Sequence, residues 1–343
     1  MSDLDVMTDE LIKSAKSFEW PENKPEVKES WLENVKSNPN ILQEEVGYLE
    51  QSIVSFFYKL DSLGRHMSCI QYDDLADSLE IIKTDIEGYE IERNDVEKAM
   101  TRIIAVLNLS NLEQMDRRSL LQIAHNHLIF AEGYHDIGNL ISSVYTYTQK
   151  DVDEQKKRII QEKGTHIMHI GMGGANMVRY GPAHDILLGA EITTKLKPFF
   201  DVVKEGKLQI DYESDSVIRF KGDIFNLYRT YFNLANNSMN RGNATKLKIL
   251  AAQDDSNVII QFLDNGIGLP NEDKIEDKIF KLRASYSGGQ GIGLFLARQI
   301  IEAHNGKITA KAHNDDAVYN GALFKITLPK EQQDRAIFYQ KDY

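Results

Sequence analysis

The stretch GGQGIGLFLARQIIEAHNGKI, residues 288–308, places four glycines (Gly288, Gly289, Gly291 and Gly293) ahead of a helix-like run, Gly293 to His304, and then a strand-like segment, KITAKAH. Glycines of this kind serve ordinary tight turns. At a helix N-terminus they have a more specific use. Backbone N–H groups there come close to a phosphate, and the helix dipole favours the anion. That matters in a chain of formal net charge −12, where an anionic ligand needs a local positive site.

Two upstream segments belong with this one. YFNLANNSMN, residues 231–240, puts Asn233 and Asn237 four apart on one helix face. DNGIGLP, residues 264–270, sets Asp264, Gly266 and Gly268 directly after NVIIQFLD, a strand that alternates Val258, Ile260 and Phe262. An asparagine side-chain oxygen is a suitable hard ligand for Mg²⁺, which keeps waters and phosphate oxygens as its other ligands. A carboxylate held at a strand end can accept a hydrogen bond from an adenine amino group. KLQIDYE, VIRFKGD, TKLKILAA and LFKITLP also read as strands, and GDIFNLYRTYFNLANNSMN as a helix. Strands mixed with helices over 182–330 predict an α/β sandwich of one sheet and a helical layer.

Upstream the period is helical. Residues 1–45 are polar and read as irregular. From 46 to 115 a heptad stripe runs Val46, Leu49, Ile53, Phe56, Leu60, Leu63, Met67, Ile70, then Leu75, Leu79, Ile82, Ile86, Tyr89, with a break at Arg93, then Val96, Met100, Ile103, Leu107. Residues 116–181 predict an antiparallel hairpin. One helix runs from about Arg118 to Thr148, Asp151 to Glu154 form a polar break, and a second helix returns to about Tyr180. Within it GMGGANM, residues 171–177, is unusual, because each interior glycine costs about 1 kcal/mol relative to alanine. Close helix approach and a hinge both answer to that pattern. Stripes this long leave apolar surface that no single helix buries, and they predict a homodimer. Residues 331–343 form a tail. The fold class is thus multidomain: an all-α region with a helical hairpin, then an α/β sandwich.

HDIGN, residues 135–139, lies on the first hairpin helix. A lone histidine on a helix is usually a packed or solvated side chain. Here His135 has an acidic neighbour, Asp136, and an amide one turn on, Asn139, beside the stripe of Tyr134, Ile137 and Ile141. Neutral imidazole offers a ring lone pair near pH 7, and an adjacent carboxylate can hold the ring and take up its proton. His125 and His127 lack a following acid; His127 falls on the apolar stripe and reads as packed.

Taken together these segments resemble the sensor histidine kinases and their nucleotide-binding domain, a fold shared with gyrase, the heat-shock chaperones and the mismatch-repair ATPases. NLANNS resembles the N box, DNGIGLP the first glycine box, KIFKLR the phenylalanine box, GGQGIGLFLARQIIEAHNGKI the second glycine box and HDIGN the H box. The nucleotide-domain resemblance covers about residues 183–330. It implies that Asn237 binds Mg²⁺ and Asp264 holds the adenine of ATP. Gly289, Gly291 and Gly293 would cradle phosphates, Gly266 and Gly268 would shape the site, and Asn233 would line the same helix face. Asn271 to Ser287 would be a short lid with Lys281 and Arg283 available to phosphate. The resemblance further implies that His135 accepts the phosphoryl group, that an aspartate on the receiver domain of a separate response regulator takes it, and that Asn139 positions water for the reverse dephosphorylation. Asn139 is followed by Leu140, without the proline that many relatives carry.

Bulk properties bound the rest. Apolar content of 42% and charge content of 27% are ordinary for a globular chain of about two domains. The acidic balance argues against nucleic-acid and anionic-membrane partners. A single cysteine, Cys69, excludes internal disulfides. The acidic N-terminus and short apolar runs predict a cytoplasmic protein with no membrane insertion. Two other readings use the same nucleotide site: a hydrolytic ATPase, and a protein-serine kinase or nucleotide-binding regulator. The ATPases resembled here place a catalytic glutamate one turn before the Mg²⁺ asparagine, and Asn233 occupies that place.

Overall fold

Asn38 ends one helix and starts the next. Its side chain accepts a hydrogen bond from the Asn40 N–H at 3.2 Å, and Pro39 takes the first helical position, where no N–H is needed. In the computed structural model the described residues are 27–70, 75–107, 117–148, 152–178, 183–270, 275–282, 291–312 and 316–331. Helices α1 (Glu29–Ser37) and α2 (Pro39–Ser68) begin inside the segment expected to be irregular. The cause is a short apolar face, in which Val35 packs with Trp31, Ile41 and Val46. Helix α3 (Leu75–Leu107) runs unbroken through Arg93. The stripe slips there but the helix does not, because Arg93 pairs with Glu90 at 2.9 Å and Glu97 at 3.3 Å, one turn to either side.

Helices α4 (Arg117–Thr148) and α5 (Glu154–Val178) form the expected hairpin. With α2 and α3 they make a four-helix bundle inside one chain: α2 packs on α3 and α5, and α4 packs on α3 and α5. Phe56 of α2 meets Tyr89 of α3 at 5.3 Å and Phe130 of α4 at 5.0 Å between ring centroids. The stripe residues Leu49, Ile53, Phe56, Leu60, Leu63, Met67, Ile82, Tyr89, Val96, Met100 and Ile103 are all buried.

The glycine-rich segment proves to be a zone of close approach. A Cβ on Gly171 would lie 2.6 Å from the Asp61 nitrogen of α2, and one on Gly174 would lie 2.3 Å from the Phe57 ring. A Cβ on Gly64 of α2 would lie 2.7 Å from the Gly164 carbonyl of α5. The backbones of α2 and α5 touch at Gly64, Gly164 and Gly171, and side chains there would force them apart.

The second half holds seven strands: β1 (His184–Leu187), β2 (Gln209–Ser214), β3 (Arg219–Gly222), β4 (Lys246–Gln253), β5 (Asn257–Asp264), β6 (Lys307–Lys311) and β7 (Leu323–Pro329). The main sheet has the order β2-β4-β5-β7-β6, parallel only between β2 and β4, while β1 and β3 pair separately. Leu247, Ile249, Val258, Ile260, Phe262, Phe324, Ile326 and Leu328 alternate onto one buried face. Helices α8 (Ile224–Asn240) and α10 (Gly293–Ala303) pack on each other, α8 against β5 and α10 against β6. This is the predicted two-layer sandwich. The sequence reading missed β1 and the helical run behind it: α6 (Leu188–Ala190), a π-helical turn (Glu191–Leu196) and α7 (Lys197–Val202). A short helix α9 (Ile275–Lys278) stands in the expected lid region.

Candidate functional site

Asp264 ends β5 on the buried face, 2% exposed. Three donors hold its carboxylate. Gly266 N–H and Ala322 N–H reach Oδ1 at 3.0 Å each, and the Ser238 hydroxyl reaches Oδ2 at 2.8 Å. Burial pushes its pKa up, and those three hydrogen bonds pull the other way. A carboxylate offers about four acceptor positions, so one is left for a further donor.

The loop after Asp264 is shaped by its glycines. Gly268 has φ +76°, and a Cβ on Gly266 would lie 2.3 Å from the Gly242 carbonyl. Ser238, Gly321 and Ala322 were not among the predicted site residues. A Cβ on Gly321 would lie 2.1 Å from Asp264 Oδ1, so only glycine lets the β7 end approach the carboxylate. Ser238 sat inside the quoted motif beside Asn237. Ala322 arrives from 58 residues away through strand pairing and had no local signal.

Helix α8 is capped by Asp223, whose Oδ1 accepts from the Phe225 and Asn226 N–H groups. It brings Asn233 to the start of α10, where Asn233 Nδ2 lies 3.4 Å from the Gly293 carbonyl. Asn237, one turn on, is half-buried, and its side chain makes no hydrogen bond among the described residues. Its amide oxygen is thus free to act as a hard ligand, which fits Mg²⁺. Gly291, at φ +68°, leads into α10, which has no side-chain cap. The amides of its first turn are therefore available to an anion. Phe280 is buried against Phe324 at 6.3 Å, with Arg298 5.4 Å from its ring centroid. Lys281 is exposed beside it and makes no ion pair among the described residues. Gly289 and Arg283, with most of the predicted lid, lie outside the described residues.

His135, Asp136 and Asn139 lie within α4, but their side chains lie outside the described residues. His127 is buried, as its place on the stripe predicts. Lys163 of α5 fixes the hairpin register. Its Nζ donates to Ser143 Oγ at 2.6 Å and lies 5.1 Å from the centre of the Tyr147 ring. Burial lowers its pKa to about 8. The helices are antiparallel, so a point eight residues before Ser143 faces one eight residues after Lys163. Residue 135 is therefore level with Gly171.

The sandwich docks on the bundle through α8 and α5. Asn226 Nδ2 donates to the Gly173 carbonyl at 3.0 Å, and Asn176 Nδ2 to Asp223 Oδ2 at 3.1 Å. His166 stacks on Phe232 at 3.8 Å and His169 on Tyr228 at 4.2 Å. Burial keeps both imidazoles neutral: His169 is lowered to about 4 and His166 lies well below its usual value.

A buried strand-end carboxylate beside a helix amide and an open helix N-terminus is the architecture of an ATP-binding domain. Residues 222–332 match the family described as histidine kinase-, DNA gyrase B-, and HSP90-like ATPase. The curated proteins this chain resembles are named as histidine kinases and sensor kinases. It is 30% identical over 131 residues to the signal transduction histidine-protein kinase BaeS of Escherichia coli, covering 36% of this chain and 27% of that one. It is 42% identical over 77 residues to the sensor protein kinase WalK of Staphylococcus aureus, covering 21% of this chain and 18% of that one. Among solved structures, the nucleotide-free catalytic domain of histidine kinase ThkA is similar at 25% identity and TM-score 0.37, covering 43% of this chain and 97% of that one. The chain spans well under a third of the curated relatives it matches, from 10% to 27% of their length. Among the described residues no helix is long and apolar enough to cross a membrane.

Proposed function

We propose that this chain is a histidine protein kinase. It binds Mg²⁺-ATP, moves the γ-phosphoryl group to His135, and passes it to an aspartate on the receiver domain of a separate response regulator. The observation that carries the reading is the placement of helix α8. It presents Ser238 to Asp264, with Asn237 next in sequence, and packs against α5, the partner helix of His135. Such chemistry belongs in the cytoplasm, where ATP is available.

Each residue has a task in this reading. The remaining acceptor position of Asp264 takes the adenine amino group. The first-turn amides of α10, with Gly291 and Gly293 keeping side chains away, receive phosphate oxygens. Asn237 would hold Mg²⁺, which when bound neutralises charge on the transferring group. A His135 ring nitrogen forms the new N–P bond as the bond from the γ-phosphorus to its bridging oxygen breaks. Asp136 holds the ring and accepts the proton from its other nitrogen. Asn139 positions a water in line with the regulator's aspartyl phosphate, so the same face also serves dephosphorylation.

Labelling with γ-³²P-ATP tests the proposal. Acid-labile, alkali-stable label is expected on the wild type. His135→Ala should bind an ATP analogue normally and take no label, Asn237→Ala should lose label, and Asn139→Ala should label and transfer but lose phosphatase activity. Label persisting on His135→Ala rejects His135 as acceptor. Acid-stable label indicates a serine kinase, and phosphate release without label indicates an ATPase.

A further inference from the structure

We infer that Tyr319 is a positioning residue for the nucleotide base: it anchors the segment that leads into β7, and that segment sets the carboxylate of Asp264. The inference rests on the proposed reading of Asp264 as the adenine acceptor. It concerns a residue outside every motif quoted above, and one that stands on the sheet face opposite helix α8.

Residues 316–322 run into β7, and three hydrogen bonds join their end to Asp264. The Gly321 N–H donates to the Asp264 carbonyl at 2.8 Å, and the Asp264 N–H donates to the Ala322 carbonyl at 3.1 Å. The Ala322 N–H donates to the carboxylate itself, at Oδ1 and 3.0 Å. The Cβ position of Gly321 lies 2.1 Å from that same oxygen. The segment therefore both holds the carboxylate and walls it in. A shift of the segment moves the oxygen that it holds.

Of residues 316–320, Tyr319 alone is not exposed. Asp316 Oδ1 accepts from the Val318 and Tyr319 N–H groups at 2.7 and 2.9 Å, which folds the chain just ahead of the ring. The Tyr319 hydroxyl donates to Asp211 Oδ2 at 3.2 Å, and Lys248 Nζ lies 5.8 Å from the centre of its ring. Asp211 and Lys248 are partners across the parallel β2–β4 pair. Their neighbours Ile210, Leu247 and Ile249 are buried, so by alternation both charged side chains stand on the open face. Glu213 pairs with Lys248 at 2.8 Å and keeps the ammonium there. A carboxylate and a cation thus fix Tyr319 to two strands. Two residues of chain span at most about 7 Å, so the hold at 319 is felt at Gly321.

Displacement of a fluorescent ATP analogue by ADP and by inosine diphosphate tests this, with the full chain and Mg²⁺. The two competitors differ at the group that meets Asp264, an amino donor in one and a carbonyl oxygen in the other. Wild type should hold ADP roughly ten- to a hundredfold more tightly. Tyr319→Leu removes the anchor, and Asp211→Ala removes its acceptor from a different strand. Each should lower that ratio by about tenfold. A merely structural role would weaken both nucleotides alike and leave the ratio where it was. Hydrogen exchange at the Ala322 amide should quicken in both variants. If Tyr319→Leu does not fold, Asp211→Ala decides. A wild-type ratio in the folded variants overturns the inference. Equal affinity of wild type for ADP and inosine diphosphate overturns the adenine reading of Asp264 and the inference with it, and exchange at Ala322 then still shows whether Tyr319 anchors the segment.

Discussion

Asp264 holds three donors and has room for a fourth, and its neighbours are chosen for that. Ser238 and the amides of Gly266 and Ala322 fix the carboxylate against the cost of burial. Asp264→Asn keeps an oxygen for the two amides, and the Ser238 hydroxyl can rotate to accept from the new NH₂ group. The fold should therefore survive. In the proposed site the new amide would also turn a donor toward the adenine amino group, where an acceptor is needed. A hydrogen bond to a charged group is worth about 1.5–3 kcal/mol, so affinity for a fluorescent ATP analogue should fall roughly ten- to a hundredfold. Unchanged affinity would remove Asp264 from the site. Asn233 and Gly293 were legible as motif residues, and the structure brings them together. Ser238 was legible only as a neighbour of Asn237, and Gly321 and Ala322 not at all, because strand pairing alone delivers them.

At the scale of one helix, α5 shows why glycines recur where they are individually unfavourable. Gly164 and Gly171 face α2 at backbone contact, Gly174 faces the Phe57 ring, and Gly173 faces α8. Gly171→Leu should cost about 1–3 kcal/mol or more in urea unfolding, because the added atoms meet backbone that cannot move aside. Gly88, in the interior of α3, has nothing within 4 Å of its Cβ position. Gly88→Ala should instead stabilise by about 1 kcal/mol. Opposite signs for the two are the test.

Helix α5 also carries a pH dependence. The His169 Nδ1–H donates to the Thr165 carbonyl at 2.7 Å, and burial lowers its pKa to about 4. Unfolded, it titrates near 6.5. Above 6.5 both states are neutral and nothing changes with pH. Below 6.5 the unfolded chain gains a proton that the folded chain refuses, so stability falls until about pH 4. At about 1.4 kcal/mol per pH unit, His169 accounts for roughly 2 kcal/mol between pH 6.5 and 5. His169→Phe should shrink the loss of stability from pH 7 to 5 by about that amount, measured by urea midpoints. An unchanged pH slope would show that His169 is not kept neutral by the fold.

At the scale of the molecule, one polar and aromatic seam joins the bundle to the sandwich. Gly173 is its narrowest point, since a Cβ there would lie 2.8 Å from both Asn226 Oδ1 and Arg229 Cδ. Gly173→Leu should part the two halves while each stays folded, because its contacts lie across the seam and not within the bundle. Thermal unfolding should split into two transitions, ATP-analogue binding should persist, and His135 labelling should fall at least about tenfold, the scale of a lost positioning contact. A single transition at the wild-type temperature with full labelling would show that the seam does not couple the halves.

The sequence by itself determined the elements and their chemistry. Helical and alternating periods, the glycine and asparagine motifs and the HDIGN segment are local, so they can be read from neighbours a few residues apart. They yielded the hairpin, six of the seven strands and the motif residues Asn233, Asp264, Gly266, Gly268, Gly291 and Gly293 that the structure gathers around the β5 end and the start of α10. The tertiary structure alone decided what covers each apolar stripe, which order the strands take and why Gly164, Gly171, Gly173 and Gly174 are small. A period says that a face is apolar; it does not say whether that face meets the same chain or another. The packing of α2 and α3 on α4 and α5 shows which faces meet within this chain, because contact between helices depends on backbone distance, and backbone distance is set by residues far apart in the chain.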